Sequence, residues 1–275
     1  MALFRLCFVI TALLGSSFAF AVDEAGRVIF ARGVVSAVDE SDSRRGLRTG
    51  DLVHAGDRIV TGRSAVVQIH LSDGALLGLR GNSEYLIARQ QYEPESDLAE
   101  QAGELFSGWM RMITGAIGKS RPDNVRVSTS VATIGIRGTV FQLLHVPESG
   151  LEGFNDVDPG SYVMLEDGGI DFFNDGGMRR VGAGEVAFAG ALSQQPEPRP
   201  DRRHLFARHL ESLSVSRDDV RRLRLQYFLR EQNSDANGSL QTVLDKEILS
   251  TTFVNLGALS SYSPGGRNVR LTAGA

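Results

Sequence analysis

Between Ala65 and Leu79 the sequence alternates with a period of two. Ala65, Val67, Ile69 and Leu71 take one side and Val66, Gln68, His70 and Ser72 the other, and Asp73-Gly74 precedes the return through Leu77 and Leu79. A helix cannot hold such a pattern on one face, whereas a strand sends successive side chains to opposite faces. Asp-Gly suits the backbone of a tight turn, so this stretch predicts a hairpin with one buried face. A lone hairpin is at best marginally stable, so other strands must pair with it. With 31 glycines, 8 prolines and 14 phenylalanines in 275 residues, the chain suits many short strands joined by turns better than a helical bundle.

Further strand-like runs lie on both sides of the hairpin. Residues 26–38 read as a first strand, with Val28-Ile29-Phe30 continuing into Gly33-Val34-Val35. Gly50-Asp51 and Gly56-Asp57 mark two corners, and an Asp that bonds its own backbone explains them better than a calcium loop, whose ligand density is missing. Tyr85-Leu86-Ile87-Ala88 follows the turn Asn82-Ser83, and residues 93–100 form an acidic, solvated connection. Residues 103–115 carry Leu105, Trp109, Met110, Met112 and Ile113 at a spacing that fits a helix nearly as well as a strand. After a loop at 147–160, strands are expected at 162–165, 170–173 and 186–188, separated by Asp167-Gly168-Gly169 and by Asn174-Asp175-Gly176-Gly177.

Residues 131–141 stand apart. Val131-Ala132-Thr133-Ile134-Gly135-Ile136-Arg137-Gly138-Thr139-Val140-Phe141 sets one cation among β-branched residues, which favour a strand, with a glycine on either side of it. Glycine inside a strand marks a bulge, a corner or a backbone passing close by. Two readings of Arg137 are open. Either it snorkels off an edge strand, or it is a buried structural group whose donors tie carbonyls or a carboxylate of a neighbouring strand. The second is preferred, and it predicts that Arg137→Lys destabilises the fold.

The two ends differ from the body. Arg5, the apolar run 6–14 and Ala19-Phe20-Ala21 form the pattern of a secretory signal at residues 1–21, cleaved after Ala21. The single cysteine, Cys7, lies inside that segment, so the mature chain is expected to lack thiols, disulfides and cysteine metal sites. Periplasmic or secreted localisation follows as an expectation, with no transmembrane segment after cleavage. The β domain is expected over 22–193. Gln194-Gln195-Pro196-Glu197-Pro198-Arg199-Pro200 reads as an extended linker able to join neither sheet nor helix. A helical pair is expected over 201–232, with one face of Leu205, Phe206, His209, Leu210 and Leu213 and a second of Val220, Leu223, Tyr227 and Phe228. Arg217, Arg221, Arg222 and Arg224 lie opposite, as candidate partner contacts; the tail 233–275 is weakly patterned.

Charge and motifs limit the chemistry. Residues 22–200 hold 17 Arg and Lys against 25 Asp and Glu, a net charge of −8, while 201–232 hold 8 against 5, a net of +3. An acidic body disfavours nucleic acid as a partner, and export would also remove a DNA role for the arginines. Gly182-Ala183-Gly184-Glu185-Val186-Ala187 matches a dinucleotide glycine pattern formally, but it falls between strands and reads as a β-turn. The histidines are too scattered to converge on a metal, no carboxylate pair is singled out, and no catalytic motif is found. No cofactor is expected. The tail either packs its apolar face on the open end of the β domain or docks on another envelope protein or an anionic membrane surface.

Taken in order, Gly50-Asp51, Gly56-Asp57, Ile59-Val60-Thr61-Gly62, Asp73-Gly74, Asn82-Ser83, the stretch 109–118 and Ala132-Thr133-Ile134-Gly135-Ile136-Arg137-Gly138-Thr139 resemble the ferric-citrate-regulator (FecR) domain family, over roughly residues 26–190. Ser130 stands where that family commonly has proline. The resemblance implies a mainly β domain, β-solenoid-like or sandwich-like, with Gly135, Ile136, Arg137, Gly138 and Thr139 as its structural motif. It further implies a non-enzymatic binding or sensing module of the cell envelope that acts through protein contacts, without the cytoplasmic segment of the membrane-spanning regulators. A carbohydrate or peptidoglycan ligand is the alternative.

Overall fold

The computed structural model describes residues 24–93 and 98–206. Strands β1 (Glu24–Arg32), β2 (Val35–Val38), β3 (Arg44–Gly46), β4 (Leu52–His54), β5 (Arg58–Thr61), β6 (Val66–Leu71), β7 (Leu76–Leu79) and β8 (Glu84–Tyr92) precede the long β9 (Ala99–Ile113). A short helix α1 (Ala116–Ser120) and a 3-10 turn (Pro122–Asn124) lead into β10 (Val125–Ser128), β11 (Thr133–Val146), β12 (Gly160–Asn174), β13 (Gly177–Val181), β14 (Val186–Ala189) and β15 (Glu197–Pro198). The chain is mainly β, built of many short strands.

Three long strands organise the rest, because each serves two sets of neighbours. The first half of β9 pairs with β8 and β10, and its second half with β7 and β11. The first half of β11 lies between β10 and the end of β12; its second half lies between β9 and the start of β12. β12 likewise meets β14 with one half and β13 with the other. The result is one sheet bent over on itself. Inward residues of both arms, among them Val67, Ile69, Leu77 and Phe141 from one and Ile59, Val127, Ile134 and Phe172 from the other, form a single buried cluster. Among the described residues β9 with β10 is the one parallel pair, so the arrangement is sandwich-like rather than a stack of parallel coils.

A second, smaller core covers the outer side of one arm. Trp109, Leu144, Tyr162, Val186 and Phe188 point outward from β9, β11, β12 and β14 and are buried beneath Leu151, Leu205 and Phe206. Phe154 and Val157 pack against the same cluster, so the polar loop at 147–160 carries apolar anchors.

The β6–β7 hairpin forms as predicted, with Gly74 at φ +84°. Other expectations are corrected. Residues 26–38 are two strands, because Gly33 adopts φ +79° and breaks the run. Of the two readings left open for the tryptophan segment the strand is the one formed, and β9 already begins at Ala99, inside the expected acidic connection. Residues 162–165 and 170–173 belong to the single strand β12, and β13 was not foreseen. The proline segment joins the sheet after all: Phe188 pairs with Glu197 and Ala187 with Pro198. Proline is tolerated there because β15 is an edge strand, where a missing N–H leaves no ladder partner unpaired. The segment is also tied down by Asn174 Nδ2 donating to the Gln194 carbonyl at 2.8 Å and Arg179 Nε to the Pro196 carbonyl at 2.8 Å. The helical pair beyond Phe206, with Arg217, Arg221, Arg222 and Arg224, lies outside the described residues, as do the signal segment and the tail. No helix among the described residues is long and apolar enough to cross a membrane.

Candidate functional site

The motif strand β11 alternates as its sequence demands. Ile134 and Ile136 are buried in the main core, and Gly135 lies on the opposite face. The Arg137 backbone pairs with Gly169 of β12, and the register then shifts before Val140. Its side chain lies outside what the structure describes, so neither reading of that arginine is decided. The glycine after it has a definite task. Gly138 sits at φ +58° and Gly168, across the pair on β12, at φ +91°. A Cβ on Gly168 would overlap the Gly138 carbonyl oxygen and come within 2.9 Å of Thr139 Cγ2. The two glycines let both strands bend together at one corner, passing from one arm of the sheet to the other.

The corner is locked from β9. Thr139 N donates to Thr114 Oγ1 at 2.8 Å, and Thr114 N donates back to the Thr139 carbonyl at 3.0 Å. Helix α1 packs here, its Gly118 carbonyl facing Gly138. Asp73, from the hairpin turn, holds the start of that helix: its carbonyl accepts Ala116 N at 2.8 Å, and its carboxylate accepts Ala75 N, Gln90 Nε2 and, at 3.4 Å, Ile117 N. Burial raises the Asp73 carboxyl above its ordinary range, against these hydrogen bonds.

Upstream, the turn into the motif is fastened by a chain of polar contacts. Ser130 Oγ lies 3.1 Å from His145 Nε2, His145 Nδ1 lies 2.9 Å from Ser161 Oγ, and Ser161 Oγ lies 2.7 Å from Thr129 Oγ1. Ser130 is exposed and His145 buried. The contacts resemble a serine–histidine pair, but burial lowers the imidazole to about 4, which makes it a poor proton acceptor at neutral pH. A hydroxyl, not a carboxylate, orients the ring. This geometry suits a clamp joining the turn at 129–132 to β11 and β12.

Gly135 opens a groove on the outer face. Pro122, Asp123, Val125, Arg126, Gly135, Ile136, Asp171 and Phe173 line a depression of about 270 Å³. A Cβ on Gly135 would lie 3.7 Å from Phe173 Cε1, in ordinary contact, so the missing side chain leaves space without being required by the backbone. Phe173 is exposed, and so is Met178, its cross-strand partner on β13. Beside them Arg180 Nε pairs with Asp171 at 3.1 Å, and Arg126 is exposed on the groove wall. An apolar floor with one aromatic wall and charges of both signs suits a peptide or protein surface better than a small charged metabolite.

Of the motif residues, Gly135 and Ile136 belong to this groove and Gly138 and Thr139 to the corner. Phe173, Met178, Arg126 and Asp171 were not foreseen. A signal for Phe173 was present: in Ile170-Asp171-Phe172-Phe173 the alternation places an aromatic beside an aspartate on the outer face. The aspartates of the Gly-Asp corners bond the backbone as read, Asp51 accepting Arg48 N and Asp57 accepting His54 N, each at 2.7 Å. Asp57 is also paired with Arg45. Gly182–Ala187 forms the expected turn, with Glu185 N donating to the Gly182 carbonyl at 3.0 Å. Among the described residues no group of three or more His, Cys, Asp or Glu could hold a metal ion.

Comparison with known proteins adds one assignment. The family model described as FecR protein matches residues 57–152, from the second Gly-Asp corner through the groove strand. A cell surface anchoring domain is 27% identical, covering 22% of this chain and 82% of its own, with a TM-score of 0.22. Two structures of a provisionally assigned anti-sigma factor from Parabacteroides distasonis are each 15% identical over 52% of this chain, with TM-scores of 0.40 and 0.39. The chain spans 58% of the length of each of these two. Such slight structural likenesses carry no argument about fold or function. No curated protein matches.

Proposed function

We propose that this chain is an exported, non-enzymatic binding or sensing module of the bacterial cell envelope, acting through contact with another protein, a reading supported by the match of the FecR protein family model to residues 57–152. The observation that carries the reading is the groove over Gly135, whose lining on β10 and β11 falls within the family-matched residues 57–152 and whose β12 wall, with the exposed pair Phe173 and Met178, lies beyond them. Exposed apolar residues beside charges of both signs are what a protein contact uses: the apolar residues gain by burial and the charges select the partner. The signal pattern at residues 1–21 supports the exported setting. The serine–histidine contacts around His145 favour a structural clamp over turnover, because burial leaves the imidazole weakly basic.

The test uses the mature protein as bait in envelope extracts, alongside a Phe173→Asp bait. The variant changes an exposed side chain and should fold normally. A partner retained by the parent and lost by the variant supports the reading; the same proteins on both baits reject the groove as the contact. Sedimentation with purified cell wall examines the alternative ligand, and retention there, reduced in the variant, would favour a glycan.

A further inference from the structure

Two glutamines face each other inside the main core. Tyr85 and Ile87 point inward from β8, and the bulge between Ile87 and Arg89 then resets the alternation, leaving Ala88 and Arg89 exposed and turning Gln90 inward. Across the ladder Gln90 pairs with Gln101, which shares the inner face of β9 with Ala99 and Leu105. Each glutamine is only 2% exposed. A carboxamide taken out of water costs stability unless its polar atoms find partners, so every one of them has to be accounted for.

Gln90 Nε2 is satisfied, donating to Asp73 Oδ1 at 3.2 Å and to Ser72 Oγ at 3.3 Å. Gln90 Oε1, Gln101 Nε2 and Gln101 Oε1 are buried and have no hydrogen-bond partner among the described residues. The unmet set is two acceptors and one donor. A direct bond from Gln101 Nε2 to Gln90 Oε1 would still leave Gln101 Oε1 orphaned. A cation would serve the two oxygens but offers nothing to an N–H. Water answers all three, because it brings two donors as well as lone pairs, and a buried water typically makes about three hydrogen bonds. Ser72 is exposed, so the cluster reaches solvent through its contact with Gln90.

We propose that Gln90 and Gln101 form a binding site for one structural water between β8 and β9. The water accepts from Gln101 Nε2 and donates to Gln101 Oε1, closing a ring on that amide, and gives its second proton to Gln90 Oε1. It thereby carries the Asp73 network, which already holds Ala75 N and Ile117 N, across to the central strand β9. The inference does not depend on the functional reading above, and its failure would leave the groove untouched.

Two measurements on the mature chain test it. A high-resolution crystal structure should show one water at hydrogen-bond distance, about 2.7–3.2 Å, from both glutamine side chains. Oxygen-17 relaxation dispersion should count one long-lived internal water fewer in Gln101→Met, a variant of similar length whose side chain lacks both the donor and the carbonyl. Density showing the two amides bonded directly with no water between them would overturn the proposal. So would an equal count in the parent and the folded variant. An anomalous peak at the site after soaking crystals in rubidium chloride would assign it to a cation and overturn it equally. Should Gln101→Met fail to fold, the parent's density decides alone.

Discussion

Glycines that look alike in sequence should differ sharply when replaced by alanine. At Gly168, φ is +91°, and an L side chain in the left-handed region costs about 1–2 kcal/mol. Its Cβ would also overlap the Gly138 carbonyl oxygen and approach Thr139 Cα to 3.1 Å, so backbone must move, adding about 1–3 kcal/mol. Gly168→Ala should therefore cost about 3 kcal/mol. Gly138 has the same backbone problem, at φ +58°, but its nearest neighbour would be 3.8 Å away, so Gly138→Ala should cost only the conformational part, about 1–2 kcal/mol. Gly135 has room for a Cβ, with nothing nearer than 3.7 Å, and its alanine variant should stay within about 0.5 kcal/mol of the parent. Urea denaturation of the mature protein reads all of these, and in a chain of this size the largest corresponds to a fall in Tm of about 6–12 °C. If Gly135→Ala proved as damaging as Gly168→Ala, or if Gly168→Ala were silent, the corner would not be where we place it.

Other expected outcomes follow from the buried polar groups. His145 is depressed to about 4 in the folded protein, so on acidification the unfolded chain takes up its proton first, near pH 6.5. Its stabilising share is complete above pH 6.5 and is lost as pH falls towards 4, about 3 kcal/mol in all, and His145→Gln should flatten that slope in denaturation at successive pH values. Asp73→Asn keeps the acceptor that holds Ala75 N while relieving a costly buried charge, so thermal melts should place it near the parent. Asp73→Ala, with those donors orphaned, should lose about 2 kcal/mol. Glu166→Ala leaves Arg111 and Gln142 without their shared partner and should cost about 3 kcal/mol by urea titration; replacing Arg111 and Glu166 together by methionine should recover most of it.

The β6–β7 hairpin was legible because one face is buried and the other polar, which writes a period of two into the residues. β9 was ambiguous for the opposite reason. As a central strand it pairs on both sides along most of its length, and Trp109, Met110, Arg111 and Met112 are all buried, so alternation vanishes where the second core covers it. Asp167-Gly168-Gly169 misled because a hairpin turn and a bend within a strand both use a glycine with positive φ. Which one forms is decided by Gly138, some thirty residues earlier in the chain. The groove was not legible: Gly135 read as a bulge, corner or close approach, yet its pairing is regular and its Cβ would have room, and Phe173 and Met178 come together only through the β12–β13 register. Proline content hid β15, since edge pairing depends on which carbonyls a neighbouring strand leaves free.

The central claim is that the groove over Gly135 is where this domain meets its partner, and Gly135→Leu tests it most directly. Leucine there projects into the depression beside Phe173, and the backbone accommodates a Cβ without strain. Calorimetric titration of the partner recovered by the parent bait should show affinity reduced at least tenfold for Gly135→Leu, with an unchanged melting temperature. Equal affinities for parent and variant would contradict the account.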